Sequence, residues 1–483
     1  MSAMNLTLAQ AARSIAGAQI VGDAQTAIAR VHTDTRTLQA GDLYVALRGE
    51  RFDGAAFLSD AARAGAVGAL ADASARAALQ ASGLPGILAP DARRALGELA
   101  AFWRRQFDLP VIAVTGSNGK TTVTQMTAAI LRAWLGDAAH ATAGNFNNDI
   151  GVPLTVLGLC AAHRAAVVEL GMNHPGEIAQ LAAIAQPTVA LVNNAQREHQ
   201  EFMGTVEAVA RENGAAIQAL PAAGIAVYPG HDAYTPVWDE LAGVRPRIRF
   251  GTAAPGAEVF IRTADWAGDH WRVQAHIVDR VAAFDLYAPG RHNLRNALAA
   301  AACAWAAGTP LDAIVQGLAA FRPVAGRSRA VALQYEGRAL TLIDDSYNAN
   351  PDSVRALIDL LAELPGPRLL LLGDLGEVGE QGPAFHDEVG RHARARGIEM
   401  LLTFGAQAVA ANRAFSEMGG AGRHCATLES LNDAACAALP GVTSVAVKGS
   451  RFMRMERAVA ALIAACAPVT AGSQIEQEAA HVA

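Results

Sequence analysis

Between residues 111 and 135 the chain passes through three textures that together allow few structures. Val111-Ile112-Ala113-Val114 is a continuous apolar, largely β-branched run, followed by Thr115-Gly116-Ser117-Asn118-Gly119-Lys120-Thr121-Thr122. Val123 to Leu135 then places apolar residues at helical spacing. An uninterrupted apolar run is the mark of a strand buried on both faces of a parallel sheet. A glycine-rich turn that opens a helix aims backbone N–H groups and the positive end of the helix dipole at an anion. The spacing G-x-x-G-K-T is two residues shorter between the glycines than the general phosphate-loop pattern. Its ingredients are the same: Lys120 reaches terminal phosphates and the Thr121 hydroxyl can take Mg²⁺. The alternative is an ordinary strand-to-helix turn. Composition argues against it, because of 39 Lys and Arg residues only Lys120 and Lys448 are lysine. A lysine kept in such a chain points to chemistry that arginine cannot do. Gly116, Ser117, Asn118, Gly119, Lys120, Thr121 and Thr122 are therefore the candidate nucleotide-binding residues.

A metal site needs a carboxylate at the end of a neighbouring strand. Glu169 closes Ala166-Val167-Val168 and is expected to bind Mg²⁺ directly or through water, with a surface carboxylate as the alternative. His199 follows the strand ending in Val192-Asn193-Asn194. It is a candidate third ligand beside Thr121 and Glu169, or a structural histidine. A GTPase would carry N-K-x-D, and neither lysine follows an asparagine. A kinase, a motor and an ATP-driven ligase remain.

At 483 residues the chain is long enough for about three domains. With 52% apolar and 17% charged residues it is no disordered protein. A net charge of −6 provides no field for nucleic acid or an anionic membrane. Five scattered cysteines without a C-x-x-C pair suit a reducing compartment. No secretion signal is expected, since no basic stretch precedes an apolar core near residue 1, and apolar runs such as Ala297 to Gly308 fall short of the ~20 residues of a membrane span. A cytoplasmic protein without membrane insertion is expected. The fold class is α/β in three domains. Residues 1–88 read as a small mixed unit, with a helix over Leu6–Ala16, a strand over Asp42–Leu47 and a hinge at Gly83-Leu84-Pro85-Gly86. Residues 89–323 read as a doubly wound, mostly parallel sheet around the phosphate loop, closed by Phe321-Arg322-Pro323. Residues 324–483 read as a second, Rossmann-like α/β unit with strands at Leu340–Asp344, Leu369–Leu372, Met400–Phe404 and Ser444–Val447, ending in a polar, frayed tail.

Further segments give the pattern a likeness. They are Gly144-Asn145-Phe146-Asn147-Asn148-Asp149-Ile150-Gly151-Val152-Pro153, Glu169 to Ile178, Gly290-Arg291-His292-Asn293-Leu294-Arg295-Asn296-Ala297 and Gly326-Arg327. With the short phosphate loop they resemble the Mur ligases, ATP-dependent amide-forming enzymes of peptidoglycan assembly. The resemblance spans the whole chain. It implies a first domain for a UDP-sugar, a second for ATP and a third for the incoming amino component. Asp344 to Ser353, Gly373 to Gly379 and Val447 to Arg451 resemble the branch that adds D-alanyl-D-alanine. By the same resemblance Thr33, Asp34, Arg36, Asn145, Asn147, Asn148, Asn350 and Lys448 bind substrate. Asn293, Asn296, Arg327, Asp345 and Asn348 contact the nucleotide. Other readings stay open: Asn147 and Asn148 as turn caps, Asp344 and Asp345 as a solvated strand end, Arg327 in a domain-boundary ion pair. One departure stands out. The family usually holds a second Mg²⁺ with a carbamylated lysine, and here Asn213 falls at that position, with no lysine between 121 and 447.

The implied reaction joins D-alanyl-D-alanine to a UDP-N-acetylmuramoyl-tripeptide through an acyl phosphate, with ATP and Mg²⁺. Lys120, Glu169, His199 and Arg327 are its catalytic candidates, in a monomer. A folylpolyglutamate-type ligase and a phosphate-loop ATPase switch are the rival readings.

Overall fold

The computed structural model describes residues 4–49 and 52–468; the polar tail lies outside them. Among these residues the chain forms three main sheets, of five, nine and seven strands.

In the first unit the order is Gln19–Val21, Gly86–Ala89, Gly68–Asp72, Asp42–Ala46, Arg30–His32, parallel except at the Gln19–Val21 edge. Two expectations need correction. Leu6 buries itself as a strand residue opposite Ile28, so the helix is only Leu8–Arg13, with Thr7 as its capping-box N-cap. The turn at Gly83–Gly86 is not a hinge between units. Gly83 ends the Arg76–Ser82 helix in left-handed backbone and Gly86 opens a strand of the same sheet. Turn residues mark a chain reversal, but not whether both flanks share one core.

In the central sheet Val111–Thr115 is an inner strand, between Val189–Val192 and Ala165–Glu169. Its alternate side chains feed two cores. Ile112 and Val114 pack with Val123 and Ile130 of the Lys120–Leu135 helix; Val111 and Ala113 pack with Leu96, Leu181 and Val209 on the other face. Parallel pairing runs on through Ile225–Pro229 and Arg247–Gly251 to Val259. There Val259–Trp266 turns into an antiparallel meander with Trp271–Ile277 and Arg280–Leu286. The third sheet is parallel from Ala421–Cys425 through Met400–Phe404, Arg368–Gly373 and Ser444–Lys448 to Arg338–Asp345, then antiparallel at Arg329–Tyr335 and Ala467–Pro468. In that register Asp345 lies opposite Lys448. Both doubly wound sheets thus direct their strand ends at a shared crevice, where such folds bind ligands. No helix among the described residues is long and apolar enough to cross a membrane.

The Lys120–Leu135 helix is braced by Leu311–Ala320 at one contact without spare room. A Cβ on Gly317 would stand 2.3 Å from Ile130 Cα. Gly317→Ala is expected to force the helices apart and cost about 1–3 kcal/mol, read as a lowered midpoint in denaturant at unchanged m-value.

Candidate active site

The phosphate loop keeps its shape through asparagines. Asn194 accepts from the Asn118 N–H at 2.9 Å and donates to the Asn118 carbonyl at 2.9 Å. Ser117 donates its backbone N–H to the Asn194 carbonyl at 3.1 Å and its hydroxyl accepts from the Gln196 N–H at 2.9 Å. A buried relay continues behind the loop, from Asn193 to Asn296 at 3.0 Å, Asn296 to Asn293 at 3.0 Å and Asn293 to the Pro289 carbonyl at 2.8 Å. Gly119, at φ 83°, sits on this relay, and a Cβ there would lie 2.5 Å from Asn296 Oδ1. Glycine is therefore required by both backbone and space. Asn293 and Asn296, expected to touch the nucleotide, spend these side-chain bonds supporting the loop. Asn213 does the same: its Oδ1 accepts the Gly116 N–H at 2.8 Å and its Nδ2 donates to the Val209 carbonyl at 3.1 Å.

Lys120 folds back over the loop. Its Nζ donates to the Gly116 and Ser117 carbonyls at 2.5 and 3.2 Å and to Glu198 Oε1 at 2.7 Å. Glu198 is buried, and its Oε2 has no partner. Burial would raise its pKa, but the Lys120 and His199 charges hold it below the usual carboxylate range. His199 lies between Glu198, at 3.5 Å, and Glu377 of the third unit. Burial opposes its charge, yet the two carboxylates win and push it up to about 9. In this arrangement both ring nitrogens of His199 face carboxylates. Its backbone, at φ 49°, is in the left-handed region, strain of the kind that gathers at functional sites.

Glu169 is 1% exposed. Its Oε1 accepts from Thr121 Oγ1 at 3.2 Å and from Asn147 Nδ2 at 2.7 Å, while its Oε2 is buried without a partner. A hydroxyl beside an unsatisfied buried carboxylate oxygen is a hard, all-oxygen donor set that fits Mg²⁺. Asn147 thus orients the carboxylate, whereas Asn148 caps the turn, accepting from the Gly151 N–H at 2.9 Å.

The third unit closes the far wall. Arg327 lays its guanidinium over the Tyr347 ring at 3.9 Å, with Arg451 at 5.3 Å, and forms no ion pair among the described residues. Lys448 is committed elsewhere: it is 3% exposed, pairs with Asp345 and donates to the Asn348 carbonyl at 2.9 Å. Asp345 also accepts from the Ser328 N–H at 2.8 Å. Lys448 and Asp345 therefore fix the loops that carry Arg327 and Asn348. Asn350 caps the Pro351–Glu363 helix and exchanges amide bonds with Asn118 at 2.9 and 3.2 Å.

Apart from buried Asn213, the predicted residues described above line a cleft of about 1100 Å³ that also takes in Thr122 and Asn145. Gly116 lies just behind it, and Thr33, Asp34 and Arg36 are outside its walls, Asp34 and Arg36 forming a surface ion pair of the first unit. Sequence reading passed over Arg197 and Glu198. Arg197 bridges Asp352 and Glu388 of the third unit.

Fold and cleft define a class: a phosphate-loop enzyme of three α/β units whose anion-binding cleft is shared by the second and third. The chain belongs to the Mur ligase family. The family's middle domain matches residues 114–304, its glutamate ligase domain residues 326–451 and its catalytic domain residues 27–104. The UDP-N-acetylmuramoyl-tripeptide–D-alanyl-D-alanine ligase of Escherichia coli (strain K12) is 40% identical over 459 residues, 92% of this chain and 95% of its own. The crystal structure of MurF from Acinetobacter baumannii matches with a TM-score of 0.85 at 32% identity, over 96% of this chain and 99% of that one. MurF from Thermotoga maritima in complex with ADP matches with a TM-score of 0.75 over 90% of this chain and 97% of that one. At 24% identity that likeness speaks for the fold.

The bridge between units carries a pH signature. Hydrogen bonds from Arg197, against the opposing effect of burial and with further help from Arg355, push Glu388 down to about 2 from 4.5. A depressed carboxylate stabilises the fold fully above its unfolded pKa and loses that contribution as pH falls towards the folded value. The stability gap between wild type and Glu388→Gln is expected to be constant from pH 7 to 5 and to shrink from pH 4.5 downwards, by thermal unfolding. A gap that widens in acid contradicts this.

Proposed function

We propose that this chain is an ATP-dependent, ADP-forming ligase that joins D-alanyl-D-alanine to a UDP-N-acetylmuramoyl-tripeptide, in the cytoplasmic stage of peptidoglycan synthesis. One observation carries the reading. A phosphate-loop lysine from one unit and an arginine without a carboxylate partner from another face the same cleft, beside a buried carboxylate with an unsatisfied oxygen. A carboxylate and a triphosphate repel each other, so bringing them together requires preorganised positive charge on both sides.

The tripeptide's free carboxylate oxygen attacks the γ-phosphorus, and the bond to the β,γ-bridging oxygen breaks to release ADP. The amine of the dipeptide then attacks the acyl carbonyl, loses a proton, and inorganic phosphate leaves. Lys120 exchanges Glu198 for the phosphates, and Arg327 approaches them from the third unit. Mg²⁺ on Thr121 and Glu169 supplies further charge neutralisation when bound. Apposition of the third unit keeps water from the acyl phosphate. We place the UDP-sugar on residues 1–88 through Thr33, Asp34 and Arg36, ATP on residues 89–323, and the dipeptide on residues 324–483 near Asn348 and Asn350. Asn145, Asn147 and Asn148 lie where the tripeptide approaches.

Phosphate release from ATP, measured with a panel of UDP-muramoyl peptides with and without D-alanyl-D-alanine, tests the reading. Release is expected to require both substrates. An equal rate with ATP alone would make the chain an ATPase and not a ligase. Lys120→Ala is expected to lower the Tm, because buried Glu198 loses its counterion, and to lose roughly 10²-fold or more of that activity below that Tm; unchanged turnover would remove the phosphate-loop role.

A further inference from the structure

Three residues after the Val189–Val192 strand face two units at once. Gln196 and Glu198 hold the phosphate loop: the Gln196 N–H donates to the Ser117 hydroxyl at 2.9 Å, and Glu198 pairs with Lys120 at 2.7 Å. Arg197, between them, points the other way. Its Nη2 donates to Asp352 Oδ1 at 2.6 Å and its Nε to both Asp352 oxygens at 3.2 and 3.1 Å. Its Nη1 and Nη2 donate to Glu388 at 2.6 and 3.1 Å. Its backbone N–H adds a bond to Asp352 Oδ2 at 2.9 Å, and the guanidinium lies over the Phe385 ring at 5.2 Å. All three guanidinium nitrogens are engaged, and side chain and main chain are held by the same carboxylate.

From this geometry we propose that Arg197 is a positioning residue, tying apposition of the third unit to the placement of the 196–198 segment that holds the phosphate loop. The proposal rests on the ligase reading above and adds a residue to it. Asp352 opens the Pro351–Glu363 helix and Glu388 lies on Gly382–Ala395, so both anchors move with the third unit. When that unit swings away, residue 197 loses its side-chain and main-chain anchors together. The segment whose Gln196 N–H holds Ser117 and whose Glu198 faces Lys120 is then no longer anchored behind the phosphate loop. Exposed ion pairs between mobile side chains do little, but this one is bidentate, partly buried and part of a network with Arg355. A lysine at 197 offers a single ammonium and cannot span both carboxylates in fork geometry.

The test uses the full-length chain in the two-substrate phosphate-release assay, below the Tm of each variant. Arg197→Ala is expected to lower kcat roughly ten- to a hundredfold, the scale of a small misplacement in an active site, while KM for ATP stays within about twofold. Arg197→Lys should recover only a minor part. Arg197→Ala combined with Asp352→Asn should be no slower than Arg197→Ala alone, because partners in one network are not additive. Full kcat with only a lowered Tm makes Arg197 structural glue and overturns the proposal, as do additive losses. If Arg197→Ala does not fold, Glu388→Gln carries the same expectation of a kcat loss at unchanged KM for ATP. A wild type that hydrolyses ATP without either substrate defeats the ligase reading instead. A wild type that needs both, with a normal Arg197→Ala kcat, defeats only the proposal.

Discussion

The Lys120 ammonium, 2.7 Å from Glu198 and mostly out of water, is the interaction around which the site is arranged. A buried charge without a counterion is strongly destabilising, so a phosphate-loop lysine needs somewhere to rest before a nucleotide arrives. Glu198 and the Gly116 and Ser117 carbonyls provide it. A triphosphate offers more negative charge than one carboxylate and can displace it. The asparagines around the loop then serve a simple purpose. Asn213 and Asn194 engage the Gly116, Ser117 and Asn118 N–H groups, so that the loop keeps one shape whether Lys120 is held by Glu198 or by phosphate.

The second constraint is that charge must come from two directions. Lys120 stands at the strand ends of the central sheet, and Arg327 precedes the first strand of the third sheet. Asp345 and Lys448, neighbours in register across that sheet, hold Ser328 beside Arg327 and the Asn348 carbonyl. The second lysine of the chain thus builds the wall against which the first one works. Three of the contacts between the two units, Asn118–Asn350, Arg197–Asp352 and His199–Glu377, lie within a few residues of the phosphate loop or of Lys120's counterion.

Much of this architecture was legible in the chain itself. Val111–Thr115, Ala165–Glu169 and Arg368–Gly373 are buried on both faces, so their apolar runs are unbroken and easily read. The phosphate loop announced itself because its glycines and lysine sit side by side. The meander at 259–286 went unread although Trp271–Ile277 alternates between buried and exposed positions, because attention to unbroken runs passes over a half-buried strand. The roles of polar residues were the least legible. Asn293 and Asn296 line the cleft, but that they also brace the loop through Asn193 no local spacing shows. Arg197 finds its partners 155 and 191 residues away, so no local spacing marks it. Glu198 is conspicuous only once the fold sets it beside Lys120.

The most direct test of the account is a crystal structure of the chain with Mg²⁺ and a non-hydrolysable ATP analogue. Lys120 Nζ is predicted to leave Glu198 for the terminal phosphates, with Arg327 swung from Tyr347 into hydrogen-bond reach of the same phosphates. An analogue bound while Lys120 still rests on Glu198, or with Arg327 left on Tyr347 and remote from the nucleotide, would contradict the claim that the two units share one phosphate site.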